Sequence, residues 1–367
     1  MNIVWLNHRD MRHPRAGGAE RAIQEISKYL VDQGDNVTIV SCKYRGSKNT
    51  EIMDGIRILR MGNPLTVHFR SFLWILGKSG NFIVVDSLGH VVPWFSELSH
   101  SGPGLIFFFH LHSRTLPGQV SRPVMFILSA IERSYKHVYK EWKFVTESKQ
   151  SELDLQSIGI NPERIERIPL GVDLQLFKPA EKTSYPSVVY YGGLRKYKRA
   201  EEAIFLAKHL VGVFPGIRLR IVGDGPTKRD LITLTREMHL ESCVSFLGKV
   251  DDNTLSKIVA ESWLNIHCSV AEGWGLSVLE SSAAGTPTVA YSVPGVSEII
   301  SVGINGITVE DSNREGLLRA ACHILKDPLS WTKGCREVAE KYSWKFVGNS
   351  WRNLLTQVQE DRQVMKR

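Results

Sequence analysis

Apolar positions along this chain switch repeatedly between a period of two and one of 3.6, the alternation that strands and amphipathic helices impose in turn. Residues 3–6, Ile-Val-Trp-Leu, predict a first strand, and a polar loop over 7–18 follows. Ala19, Ala22, Ile23, Ile26, Tyr29 and Leu30 then recur on one helical face, and Gly34 ends the run. Residues 37–41 read as the next strand, so the chain opens on a β-α-β unit, whose right-handed crossover makes a parallel sheet. Asp54-Gly55 predicts a hairpin turn, and residues 82–86 and 105–109 predict further buried strands.

Proline, glycine and charge interrupt this periodicity across 164–187, and a second series of β-α-β units begins beyond it. Strands are predicted at 187–191, 218–222, 244–247, 264–267 and 288–291, with helices at 200–211, after Pro226 and at 253–262. A closing helix is predicted over 344–359. The fold class is therefore α/β with two doubly wound sheets, a first domain at 1–178 and a second at 179–343. Length agrees, since 367 residues exceed one ordinary α/β core and suit two domains of roughly 150 to 200 residues.

Composition narrows the class. With 43% apolar and 23% charged residues and no low-complexity tract, the chain is globular. Five cysteines lie far apart without C-x-x-C spacing, which implies a reduced compartment. The first strand begins too early to leave room for a signal peptide, and no apolar run approaches the ~18 residues that span a bilayer. A cytoplasmic protein is expected.

The net charge of +8 is spread out, with 22 Lys and Arg against 17 Asp and Glu in residues 1–180 and 24 against 21 thereafter. Without a basic stripe, nucleic acid is not an expected partner. Residues 67–78, Val-His-Phe-Arg-Ser-Phe-Leu-Trp-Ile-Leu-Gly-Lys, mix aromatic and basic positions at near-helical spacing. That pattern suits peripheral contact with the cytosolic face of a membrane and suits a core-packing helix equally.

Four segments carry candidate chemistry. Gly17 and Gly18 lie between a strand's carboxyl end and a helix start, where backbone N–H groups can approach an anion. The segment matches neither a P-loop nor G-x-G-x-x-G, and a ligand-free tight turn would look the same. His110 and His112 follow a strand two residues apart, placed to bond a hydroxyl or move a proton near neutral pH, or to serve structure alone. Arg195, Lys196, Lys198 and Arg199 cluster between a strand and a helix start, which suits a diphosphate or a solvated helix end. The turn at Gly223, in Ile-Val-Gly-Asp-Gly-Pro, falls on the same sheet edge.

The fourth segment is Glu272-Gly-Trp-Gly-Leu-Ser-Val-Leu-Glu280. Two acids invite a glycosidase reading, but glycosidase carboxyl groups stand about 5 to 9.5 Å apart. Eight residues of helix rise about 12 Å, so the acids are better spaced to grip two ends of one extended ligand. A hexose at Glu272 and a ribose at Glu280 fit, with a diphosphate near the N–H groups of Gly275, Leu276 and Ser277.

In order, these segments resemble the retaining glycosyltransferases of family 4. The resemblance runs over nearly the whole chain: Gly17-Gly18-Ala19-Glu20, Ile168-Pro-Leu-Gly-Val-Asp173 with Phe177 and Pro179, the Gly-Leu turn before Lys198, residues 221–226, Glu272 to Glu280 with Ala284-Gly-Thr-Pro287, and Pro294-Gly-Val-Ser-Glu298. It implies a GT-B fold of two facing Rossmann-like domains with an interdomain cleft, the helix from Trp344 returning to the first domain.

The family pattern also assigns roles. Glu272 contacts the donor sugar, Glu280 the ribose, Lys198 the diphosphate, Gly17-Gly18 the phosphate side, and His110 matches a histidine near the transferred sugar. One departure stands out: many members carry an arginine where this chain has Gly193, and Arg195 is the nearest substitute charge. With no D-x-D motif and a metal-independent family, neither metal nor cofactor is expected beyond the nucleoside-diphosphate sugar itself. The implied activity is retaining hexosyl transfer to a glycan or lipid-linked acceptor. A sugar epimerase or phosphorylase of the same fold, or a catalytically silent nucleotide- or glycan-binding protein, is the alternative.

Overall fold

The computed structural model describes residues 1–78, 81–115 and 120–365. They form two compact units, one of Met1–Leu170 together with the segment from Trp344 onward, the other of Gly171–Ser343. The sequence places the boundary at 178/179. In the structure residues 171–178 are tied to the second unit, because Val172 N–H donates to Tyr342 O at 2.8 Å and Arg336 donates to Phe177 O and Leu174 O at 2.9 and 3.1 Å.

In the first unit the elements run β1 (Asn2–Leu6), α1 (Gly18–Asp32), β2 (Asn36–Ser41), β3 (Thr50–Met53), β4 (Ile56–Arg60), α2 (Val67–Leu76) and β5 (Ile83–Leu88). There follow α3 (Ser96–Ser99), β6 (Gly104–Phe108), α4 (His112–Thr115), α5 (Arg122–Val138), β7 (Lys143–Thr146), α6 (Lys149–Ser157) and β8 (Ile165–Arg167). The eight strands order as β3-β4-β2-β1-β5-β6-β7-β8, parallel except for the β3/β4 hairpin. Asp54-Gly55 turns that hairpin with φ of +51° and +75°, as the Asp-Gly pair predicts.

Strand order reverses at β1, so right-handed crossovers send α1 to one face of the sheet and α2, α3, α5 and α6 to the other. Side chains alternate to match. Val4, Leu6, Val84, Ile106 and Phe108 share a core with Val67 and Ile75 of α2 and Tyr135 of α5. Trp5 and Phe107 point the opposite way, onto Trp351 of the helix Trp344–Met365, with ring centroids 5.1 and 4.9 Å from it. That helix lies against α1 so closely that a Cβ at Gly348 would stand 2.3 Å from the Tyr29 ring. The Met1 ammonium and Arg352 both bind the buried Asp35 carboxylate, at 2.5 and 2.9 Å.

In the second unit the strands are β9 (Ser187–Tyr191), β10 (Arg218–Val222), β11 (Val244–Gly248), β12 (Leu264–His267), β13 (Thr288–Tyr291) and β14 (Gly306–Val309). They form an all-parallel sheet ordered β11-β10-β9-β12-β13-β14. The helices are α7 (Glu201–Leu210), α8 (Lys228–Glu237), α9 (Asp252–Glu261), α10 (Leu276–Ala283), α11 (Val296–Ile299), α12 (Arg314–Lys326) and α13 (Thr332–Glu340). β14, α12 and α13 extend this sheet past the last strand expected at 288–291. Each unit is a doubly wound α/β layer structure, the class expected. Among the described residues no helix is long and apolar enough to cross a membrane. The five cysteines are free thiols, and burial pushes that of Cys335 up to about 12.

Candidate active site

The second unit gathers its candidate residues at the carboxyl edge of the sheet, where loops leave β9, β10 and β12. The first two of those loops lean on one another: Gly192 N–H donates to Val222 O and Leu194 N–H to Asp224 O, both at 3.0 Å. Gly223 has φ +130°, and a Cβ there would stand 2.0 Å from Gly192 O. Loop packing alone therefore requires glycine at 223. Val270 N–H then donates to Tyr197 O at 2.9 Å, joining the 196–198 turn to the loop that carries Glu272.

At that junction Lys198 Nζ forms an ion pair with Glu272 Oε1. His267, 6% exposed at the end of β12, bridges two candidate groups. Its Nε2 lies 3.2 Å from Glu272 Oε1 and its Nδ1 lies 3.1 Å from Ser277 Oγ, on the first turn of α10. Burial pushes the Glu272 carboxyl up, but the Lys198 charge and His267 outweigh it and hold the group well below the usual carboxylate range. Burial likewise lowers Lys198, and Glu272 more than restores it, so the net shift is upward. The pair is ionised.

α10 starts at Gly275 and presents its N-terminal dipole beside this pair. Tyr191 at the end of β9 donates its hydroxyl to Ser277 O, and Glu280, one turn further along, acts electrostatically on the same hydroxyl. The structure thus brings Lys198, Glu272, Ser277 and Glu280 around one helix start. The other cations of the 195–199 cluster diverge. Arg195 is exposed and within electrostatic reach of Lys198. Arg199 turns away to Asp311, to Cys268 O at 3.0 Å, and over the Tyr291 ring.

In the first unit, Gly17 caps α1, and its N–H donates to Glu20 Oε2 at 2.7 Å. The helix N-terminus at Gly17-Gly18 is thus already faced by a side-chain carboxylate. The 7–18 loop is anchored by Asp10, which accepts two bonds from the fully buried Arg60 and one from Ser41, all at 2.7 Å. Burial pulls the Asp10 carboxyl up, and those bonds bring it below its ordinary value.

His110 and His112 sit beyond β6 with ring centroids 4.8 Å apart, and the backbone N–H groups of His112 and Ser113 donate to the buried Glu132 at 2.6 and 3.3 Å. A second histidine group, unmarked in the sequence, joins His8, His68 and His90: His8 lies 4.0 Å from His90, and His68 stacks at 4.0 Å on Trp94. Burial lowers His68 to about 4 and His90 to about 3, so both are neutral at pH 7. Among the described residues no cluster of His, Cys, Asp or Glu is placed to hold a metal ion.

Known proteins share this architecture. Sucrose-phosphate synthase from Thermosynechococcus elongatus superposes with a TM-score of 0.83 at 20% identity, covering 97% of this chain and 98% of that one. The HepE protein of Anabaena, solved in complex with UDP-glucose, superposes with a TM-score of 0.77 at 15% identity over 97% of this chain and all of the other. Both are GT-B folds. Residues 16–176 match the family model Glycosyltransferase Family 4, and residues 172–343 match Glycosyl transferases group 1. The chain belongs to the family 4 glycosyltransferases and transfers a sugar from a nucleotide-sugar donor.

Its characterised relatives diverge in acceptor. A subunit of phosphatidylinositol N-acetylglucosaminyltransferase from Schizosaccharomyces pombe is 22% identical over 91% of this chain and 76% of its own length. Glycogen synthase from Mycobacterium tuberculosis is 23% identical over 93% and 89%.

Proposed function

We propose that the chain is a retaining hexosyltransferase using a uridine-diphosphate hexose, with a glycan or lipid-linked acceptor. The observation that carries this reading is the ionised Lys198–Glu272 pair at the start of α10. Glu272, kept as a carboxylate, accepts hydrogen bonds from vicinal sugar hydroxyls and has no proton to give a leaving group at neutral pH. That argues against glycosidase-type acid catalysis. Glu280 takes the ribose hydroxyls, while the N–H groups of Gly275, Leu276 and Ser277, with Lys198 and Arg195, receive the diphosphate. Gly223 belongs to the turn that supports Lys198. In the first unit the family pattern gives His110 a role near the transferred sugar, while the Gly17 N–H is already met by Glu20 Oε2.

Cleavage of the anomeric bond puts negative charge on the departing diphosphate, and a fixed cation with a helix N-terminus stabilises that charge as it develops. The leaving phosphate oxygen takes the acceptor hydroxyl's proton as the new glycosidic bond forms on the same face, which retains configuration. UDP supplied by the HepE complexes is the basis for the choice of base. Transfer from radiolabelled UDP-hexoses, with UDP titrated separately, tests the reading. Glu272→Ala and Lys198→Ala are each expected to lower transfer by about 10² or more, the scale of losing one electrostatic stabiliser. Near-normal transfer and unchanged donor affinity in both variants overturns the site assignment.

A further inference from the structure

Two helices on one face of the eight-stranded sheet turn apolar side chains outward. α2 sends Val67, Ser71 and Ile75 into the core, while on its other side Phe69, Leu73 and Leu76 are 65, 49 and 59% exposed, and Leu65 in the turn before it is 91% exposed. Phe69, Leu73 and Leu76 recur at the i, i+4, i+7 spacing of one helical stripe. α5 buries only Glu132 and Tyr135, both in its second half, and its first half leaves Val124, Phe126 and Ile127 at 42, 77 and 57%. The pattern at 67–78 suits a core helix and a membrane-facing one equally, and α2 carries one buried row and one exposed apolar row.

Charge is sorted around these rows. Residues 55–85 and 98–131 contain no Asp or Glu, although residues 1–180 hold 17. Exposed Arg70 and Lys78 accompany the α2 row, and exposed Arg122 opens α5. Lys78 Nζ lies 4.5 Å from the centre of the half-buried Trp74 ring, pairing a cation with an amphipathic aromatic as interfacial helices do. A bilayer takes outward apolar side chains into the acyl boundary and holds cations at anionic headgroups; Glu97 of α3, the acid just before the second of these stretches, has its carboxylate taken up by the N–H groups of Lys140, Glu141 and Trp142.

We propose that α2 and the first half of α5 form a docking face for an anionic phospholipid bilayer, which the first unit uses to lie on a membrane surface. The proposal stands apart from the donor reading, since its test measures binding rather than transfer.

The experiment is flotation of the full-length protein with vesicles of pure phosphatidylcholine and of phosphatidylcholine with 30% phosphatidylglycerol, the fraction chosen on the order of a natural anionic leaflet. Binding to the anionic vesicles is expected, with at least about tenfold weaker partitioning to the neutral ones and weakening in roughly 0.5 M salt as headgroup charge is screened. Phe69→Ser with Leu73→Ser, and separately Phe126→Ser with Ile127→Ser, are each expected to lower partitioning about tenfold by removing inserted apolar area. Arg70→Glu with Lys78→Glu abolishes the preference for anionic vesicles.

All these positions are exposed, and unchanged melting temperatures of the variants report that the first unit is intact. No flotation of the wild type, or flotation unchanged in both apolar double variants, overturns the proposal. So does self-association in light scattering that the apolar variants abolish, because the face then belongs to a second copy of the chain.

Discussion

Glu272 is held by Lys198 and His267, and the histidine is the member of this group that motif spacing did not mark. It ends β12 and touches Ser277 Oγ at 3.1 Å and Glu272 Oε1 at 3.2 Å. In the proposed donor site those contacts give it a positioning role: it spaces the Glu272 carboxylate from the first turn of α10. Removing the ring in His267→Ala is expected to lower transfer about tenfold, equivalent to about 1.4 kcal/mol. The loss should appear in donor KM as well as kcat, since carboxylate and helix turn both drift. His267→Asn, which keeps a polar group near Ser277, should recover part of it. A lower melting temperature with full activity in His267→Ala would show that the ring only fills space. The signal for such a residue was present as a polar side chain ending a buried strand just before the Glu272 loop, a place where an apolar residue is otherwise expected.

Among elements, the turns after β9 and β10 set where Lys198 stands, and they do so through backbone contact. Gly223→Ala places a methyl 2.0 Å from Gly192 O on a backbone with φ +130°. The substitution is expected to destabilise the second unit by about 1 to 3 kcal/mol through strain. It should also weaken UDP binding by displacing the turn that carries Lys198, measured by thermal melts and titration on one preparation. Gly216→Ala is the control: it too has positive φ, +77°, but nothing lies within 4 Å, so it shares the backbone cost without moving a neighbour.

The same contrast explains what was legible. The buried strands β9 and β13 announce themselves as apolar runs, and the Asp54-Gly55 hairpin as turn chemistry. α12 carries a readable signal too, with Leu317, Ala321, Ile324 and Leu325 at helical spacing behind the Asn313 cap. The Asp10–Arg60 anchor and the His8, His68 and His90 group were not legible, because the sheet crossovers alone bring such distant positions together. Glu20 marks a third limit. Its three-residue spacing from Gly17 is a local cap, so glycines that read as an open anion site face an acid instead.

At the scale of the whole molecule the chain leaves the first unit at residue 170, builds the second, and returns at Trp344 to finish the first. The return is structural in the strict sense. Trp351 is fully buried between Trp5 and Phe107, one face of the first sheet has this helix and α1 as its cover, and Arg352 reaches the Asp35 carboxylate that also binds the Met1 ammonium. The first unit's core is thus completed by residues more than 170 positions downstream of its last strand.

Trp351→Ala opens a cavity at that seam and is expected to cost about 3 to 5 kcal/mol, the usual range for deleting a buried aromatic. Hydrogen exchange should locate the loss in β1, β6 and α1, while the strands from β9 to β14 keep their protection. Loss of protection spread evenly over both sheets would mean that the two units unfold as one, and that the returning helix is not the specific closure of the first core that its contacts describe.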